Sequence, residues 1–151
     1  MYEKILVPVD GSPTSLAGLQ EAIALARVMG STIKVLHVVD EISFMTSFES
    51  SMALTAEVFE TLKKAGQEVL QEAETRVRAA GVAVETELYE SYSGRVSDLV
   101  IAKAREWGAQ LIVLGTHGRR GVGRMLLGSD AEQVLRSRRC RCCWCAAPEK
   151  V

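Results

Sequence analysis

The first forty residues limit the possible folds more than any other stretch. Ile5-Leu6-Val7-Pro8-Val9 is a short apolar run, too short for a helix and without polar alternation, so it reads as a strand over 5–9 buried on both faces. Pro8 lacks an amide donor, but it sits near the strand's end, where ladder bonds can lapse. Ser12-Pro13 then marks a helix start, with Ser12 as N-cap and Pro13 at the first helical position. Leu16, Leu19, Ile23 and Ala26 recur at helical spacing, and Gly30 stops the helix. A second apolar run follows over 33–39. Strand, helix and strand within about forty residues form a βαβ unit, whose two strands must be parallel.

The rest of the chain repeats the alternation. Residues 40–55 have no clean period and read as an irregular connection. A helix is expected over 56–80, with Val58, Leu62, Ala65, Val69, Ala73, Val77 and Ala80 on one face. Glu60–Lys64, Glu72–Arg76 and Glu74–Arg78 form i,i+4 pairs on its wet side. Residues 82–89 alternate as a half-exposed strand at a sheet edge. A helix over 95–107 turns Val96, Leu99, Val100, Ala102 and Lys103 inward, and Gly108 caps it. A fourth strand spans 110–114, and a last helix starts at Ser129. The expected fold is a single α/β domain with a parallel sheet and helices on both faces.

Between that fourth strand and that last helix lies Gly115 to Ser129, GTHGRRGVGRMLLGS. The order is strand, glycine-rich loop, helix N-terminus. Glycines let a ligand approach the backbone, and a helix N-terminus offers unpaired N–H groups with a partial positive charge. Together they suit phosphate. In parallel α/β sheets, ligands bind beyond the carboxyl ends of the strands, where strand order reverses. Asp10 and Gly115 both stand at such ends, and they face each other if the first and fourth strands are neighbours.

Other chemistries lack their parts. No G-x4-G-K-[ST] string occurs, and Asp10-Gly11-Ser12-Pro13 stands where a dinucleotide fingerprint would follow the first strand. With two histidines in 151 residues, most catalytic triads and metal sites cannot be assembled. The formal net charge of -1 leaves no basic footprint for nucleic acid. No apolar run reaches membrane-spanning length, and the start of the chain leads straight into a strand with no room for a signal peptide. A cytoplasmic binder, with no catalytic residue and no metal site assigned, is the resulting expectation.

The spacing Gly115-x2-Gly118-x9-Gly128-Ser129 resembles the nucleotide motif of the universal stress protein family, in its ATP-binding branch. Ile5 to Asp10 with the Ser-Pro helix start resembles that family's first strand. Val35-Leu36-His37-Val38-Val39-Asp40 resembles its second, and Gly94 with Leu99 and Val100 its third helix. The resemblance covers about residues 1–138. It implies a five-stranded sheet in order 3-2-1-4-5, filling residues 1–146 and leaving 147–151 as a tail. It also implies ATP, with or without Mg or Mn, at the crevice between strands one and four, and a nucleotide-dependent regulator of the stress response acting as a homodimer. The alternatives are a member working through protein contacts without nucleotide, or a slow ATPase.

Carried over residue by residue, the implied nucleotide-binding set is Pro8, Val9, Asp10, Val38, Gly115, His117, Gly118, Gly128, Ser129 and Asp130. Asp10 would stand near the ribose and adenine end. The backbones of Val9 and Val38 would hold the adenine. The amides of Gly118, Gly128 and Ser129 would hold the phosphates, and His117 would flank them. His37 reads as a structural residue of strand two.

Two features depart from the family pattern. Asp130 favours a helix N-terminus but would repel a phosphate, which a divalent cation would offset. The tail, Arg138-Arg139-Cys140-Arg141-Cys142-Cys143-Trp144-Cys145, holds all four cysteines where the family carries a strand of the type Pro-Val-Leu-Leu-Val that pairs across a dimer axis. One reading is a thiolate cluster for Cu(I) or zinc. The favoured reading is a reading-frame slip: if GC-rich codons are chosen for residues 139–146, dropping the first two bases encodes Leu-Pro-Val-Leu-Leu-Val-Arg. In either case a strand near 139–146 can survive. Arg139 and Arg141 on one face of it would weaken the homodimer.

Overall fold

The computed structural model describes residues 2–40, 56–91, 94–115, 129–136 and 141–145, with the backbone alone described at 40, 56, 129–130 and 141–145. The chain is a single α/β domain. In order, the elements are β1 (Lys4–Pro8), α1 (Pro13–Met29), β2 (Thr32–Asp40), α2 (Ala56–Ala79), β3 (Val84–Ser91), α3 (Val96–Trp107), β4 (Leu111–Gly115), α4 (Ser129–Arg136) and β5 (Arg141–Cys145). All pairings are parallel, and the sheet runs β3-β2-β1-β4, with β5 beside β4 in register Ile112↔Cys142 and Leu114↔Trp144.

Side chains alternate across the sheet and so fill two cores. Ile5, Val7 and Val9, with Ile33, Val35, Leu111 and Val113, meet Leu19, Ala22 and Ile23 of α1 and Leu70, Ala73 and Val77 of α2. On the opposite face Leu6, Leu36, Ile112 and Leu114 meet Val100 and Ala104 of α3 and Ala131 and Val134 of α4.

The helix ends are built as their sequence dictates. The Ser12 hydroxyl accepts from the Ser15 amide at 3.2 Å, with Pro13 opening α1. After α2, the Val82 amide donates to the Val77 carbonyl and the Gly81 amide to that of Arg78. That pair of bonds is a Schellman motif, whose apolar contact joins Val82 to Val77. Val82 therefore belongs to the helix cap, and β3 begins at Val84 rather than at the expected residue 82. The same motif closes α3, where the Ala109 amide reaches the Ala104 carbonyl at 2.7 Å.

Three expectations about the helices need correcting. The most buried edge of α3 is Ser97, Val100 and Ala104, and Ala102 is exposed; the small side chains at 97 and 104 set the helix close to the sheet. On α2, Ala65 is exposed and Gly66 is buried in its place. The Glu72–Arg76 and Glu74–Arg78 pairs form, but Glu60 meets Lys63 rather than Lys64, and Lys63 also reaches Glu90 on β3 at 3.1 Å.

The outer face of β2 and β3 is packed by charged side chains. Lys34 pairs with Glu85 and Glu87, and Lys103 of α3 pairs with Glu87 at 2.6 Å and with Glu106. The ammonium groups of Lys4 and Lys34 both lie about 5 Å from the centre of the Trp107 ring. The lysine stems cover apolar surface while their heads stay paired. Among the described residues, no helix is long and apolar enough to cross a membrane.

Candidate nucleotide site

β1 is flanked by β2 on one side and β4 on the other, with Ile5↔Leu111 and Leu6↔Ile112 in register. The chain leaves β1 toward β2 and β3, then returns to the other side of β1 as β4. Strand order thus reverses between β1 and β4, and in parallel α/β sheets the ligand crevice lies beyond the carboxyl ends at such a point. Asp10 follows β1 and Gly115 ends β4.

The turn after β1 is knitted by short polar side chains. The Asp10 carboxylate accepts from the Ser12 amide at 2.9 Å, and Gly11 between them takes φ 79°, a conformation open to glycine without strain. The Ser15 hydroxyl donates to the Ser12 carbonyl at 3.0 Å, and the Ser12 and Thr14 hydroxyls lie 3.1 Å apart. Asp10 is thereby an Asx-turn residue, while Ser12 is the helix cap. Thr14 and Ser15 take part in this turn although periodicity gives no sign of them.

Gly115 is a packing glycine. A β-carbon there would stand 2.7 Å from the Thr14 carbonyl carbon and oxygen, and one on Gly18 would stand 3.3 Å from the Gly115 amide. The first turns of α1 thus lie directly on the end of β4, and the absence of side chains at 18 and 115 permits that close approach.

The β2 side of the crevice is a backbone edge. The Thr32 amide donates to Glu3 and the Leu36 carbonyl accepts from the Val9 amide, whereas the Ile33 amide donates toward β3, to Ala83. Even-numbered residues of β2 therefore address β1 and odd-numbered ones address β3. Val38 is even, and β1 pairing stops at Pro8↔Leu36. The N–H and C=O of Val38 project side by side beyond the end of β1. The Val9 backbone, by contrast, is engaged inside the fold: its amide reaches the Leu36 carbonyl at 2.9 Å, and its carbonyl accepts from His37 Nδ1 at 2.8 Å.

Pro8, Val9, Asp10, Val38 and Gly115 thus come together at one end of the sheet. His117, Gly118 and Gly128 lie outside the described residues. Ser129 and Asp130 open α4, with their backbone alone described. Of the cysteine cluster, Cys140 lies outside the described residues, and Cys142, Cys143 and Cys145 are described as backbone of β5.

The sequence model of the universal stress protein family matches residues 1–142. The chain belongs to that family. A universal stress protein of Methanocaldococcus jannaschii is 36% identical over 141 residues, 93% of this chain and 79% of the relative. The crystal structure of a family member from Burkholderia pseudomallei superposes with a TM-score of 0.77 at 31% identity, over 95% of this chain and 96% of the other. A family protein from Arabidopsis thaliana, solved with AMP bound, superposes at 0.68 with 16% identity, over 95% of this chain and 90% of the other. The match of the family model ends at Cys142, inside the run of cysteines.

Proposed function

We propose that this universal stress protein binds ATP in the crevice between β1 and β4 and acts as a nucleotide-dependent regulator of the stress response. The observation that carries this reading is the peptide edge of Val38, left without a β1 partner beyond the end of the β1 pairing among the described residues. An N–H and a C=O presented side by side match the N1 acceptor and N6 donor of adenine, and guanine offers the opposite order. The AMP bound by the Arabidopsis relative is an adenine nucleotide and supports the same choice of base.

From that anchor the nucleotide runs past Asp10, placed for the ribose hydroxyls, along Pro8 and Val9 toward Gly115. The glycine loop then takes the phosphates: the amides of Gly118, Gly128 and Ser129 donate, and the N-terminus of α4 adds its positive end. His117 flanks the phosphates. Asp130 lies one residue beyond Ser129, so Mg or Mn carried on the triphosphate would offset its repulsion. The protein's own groups bind and orient the nucleotide, and no base stands assigned beside a nucleophile. In solution the protein would be a cytoplasmic homodimer, loosened by the arginines of its altered last strand.

Isothermal titration of the whole chain with ATP and GTP, each with magnesium, tests this reading. The expected result is saturable heat from ATP and binding of GTP weaker by about tenfold or more. Replacing Gly118 by Val should abolish the ATP signal. Absence of heat from ATP at about 1 mM would favour a member acting through protein contacts alone.

A further inference from the structure

His37 is 7% exposed, on the second strand of a face otherwise filled by Ile33, Val35 and Val39. Its Nδ1 lies 2.8 Å from the Val9 carbonyl oxygen. A carbonyl can only accept, so Nδ1 carries the proton. Gly66 of α2 lies over the ring: a β-carbon at 66 would stand 2.7 Å from His37 Cδ2, 3.1 Å from Nε2 and 2.9 Å from Leu88 Cδ1. A glycine inside a helix costs about 1 kcal/mol relative to alanine, and here it leaves room for an imidazole.

The bond falls at a decisive place in the ladder. Acceptors toward β2 recur at every second residue: the Glu3 carbonyl takes the Thr32 amide, and the parallel register, which puts Val9 level with His37, carries the same carbonyl-to-amide step up the strand to the Val9 carbonyl and the Val38 amide. The Val9 carbonyl is the next acceptor for the Val38 N–H. Among the described residues no bond joins those two groups, and the carbonyl is met by the His37 ring.

We infer that His37 is a positioning residue for the nucleotide: seated against Gly66, it holds the Val9 carbonyl away from the β1–β2 ladder and keeps the Val38 N–H available for the ligand. Loss of the ring donor lets the ladder close by one step. The closed form lacks the donor that reads the base, and it draws β1 and the Asp10 turn toward β2. The inference rests on the adenine-nucleotide reading of the site, but half of it is observable without nucleotide.

Three variants and two readouts test it. His37→Phe keeps a ring and removes the donor. His37→Asn keeps a donor on the same γ position. Gly66→Ala pushes the ring from outside while favouring the helix. Amide hydrogen exchange of Val38 is followed in nucleotide-free protein, and ATP affinity is followed by titration with magnesium. In His37→Phe, Val38 exchange should slow and ATP binding weaken, each by about five- to tenfold, the worth of one hydrogen bond. His37→Asn should stay within about threefold of the parent in both, and Gly66→Ala should move in the same direction as His37→Phe. If the parent binds ATP and His37→Phe matches it in both readouts, the inference falls and the functional reading stands. If the parent binds no adenine nucleotide, the functional reading falls, and with it the ligand half of the inference. A parent Val38 amide already as protected as that of Leu36 overturns the ladder argument directly.

Discussion

Gly115, the last residue of β4, lies against Thr14 in the first turn of α1 so closely that a β-carbon on it would stand 2.7 Å from the Thr14 carbonyl. Two segments about a hundred residues apart in sequence thus share one contact that fixes how far β4 stands from the turn after β1. Gly115→Ala must move backbone on one side or the other. The expected cost is about 1–3 kcal/mol of stability, with weaker ATP binding, read by thermal unfolding and titration. The same substitution at Gly30, where nothing lies within 4 Å of the added carbon but φ is 68°, should cost stability and leave ATP affinity unchanged.

The hydroxyl of Ser97 is fully buried and has no hydrogen-bond partner among the described residues. Its desolvation is uncompensated. Ser97→Ala removes the hydroxyl, improves helix propensity and leaves a space no larger than one oxygen. It should raise stability by up to about 1 kcal/mol, seen as a melting temperature higher by about 2–4 °C. A loss of stability would mean that the hydroxyl is bonded in solution.

The charged face of β2 and β3 sets a pH dependence. Burial raises the Glu87 pKa, but the hydrogen bond and charge of Lys103, with the charge of Lys34, outweigh it and hold the carboxyl below its ordinary value of 4.5. Its contribution to stability is present above that ordinary value and is lost as pH falls through the lower, folded-state value. The hydrogen bond that Lys103 donates to Glu87 holds Lys103 above its ordinary value of 10.5, against a smaller opposing effect of burial. That contribution is present below the ordinary value and disappears as pH rises through the folded-state one. Denaturant unfolding of Glu87→Gln should show lower stability at neutral pH and a shallower loss of stability below about pH 5. A variant as steep in acid as the parent would place the acid sensitivity elsewhere.

The local parts of this fold are legible in the sequence and the long-range parts are not. Ser12-Pro13, Gly30 and Gly108 announce helix ends because caps involve residues a few positions apart. The order of apolar runs puts Asp10 and Gly115 at the carboxyl ends of their strands, but that β1 and β4 are neighbours comes from the family resemblance and is seen in the sheet order. Val82 misleads because its alternation with Val84 continues into a Schellman cap, where the apolar contact to Val77 replaces pairing. The phase of α3 misleads because its closest contacts are made by Ser97 and Ala104, which carry no hydrophobic signal. Of the site itself, Val38 is legible only through family resemblance. That its amide edge lies beyond β1 depends on which sheet neighbour each residue of β2 faces. The pairings of Gly66 with His37 and of Gly115 with Thr14 depend on approach distances that no sequence pattern encodes.

The central claim is that the backbone of Val38 reads the base, and a nitrogen-15 NMR titration with magnesium ATP addresses it at that atom. The account predicts that the Val38 amide resonance moves on saturation as a new hydrogen bond forms, together with Asp10 and Gly115, and that GTP moves it less. A titration that saturates on other resonances and leaves Val38 unchanged would contradict the account.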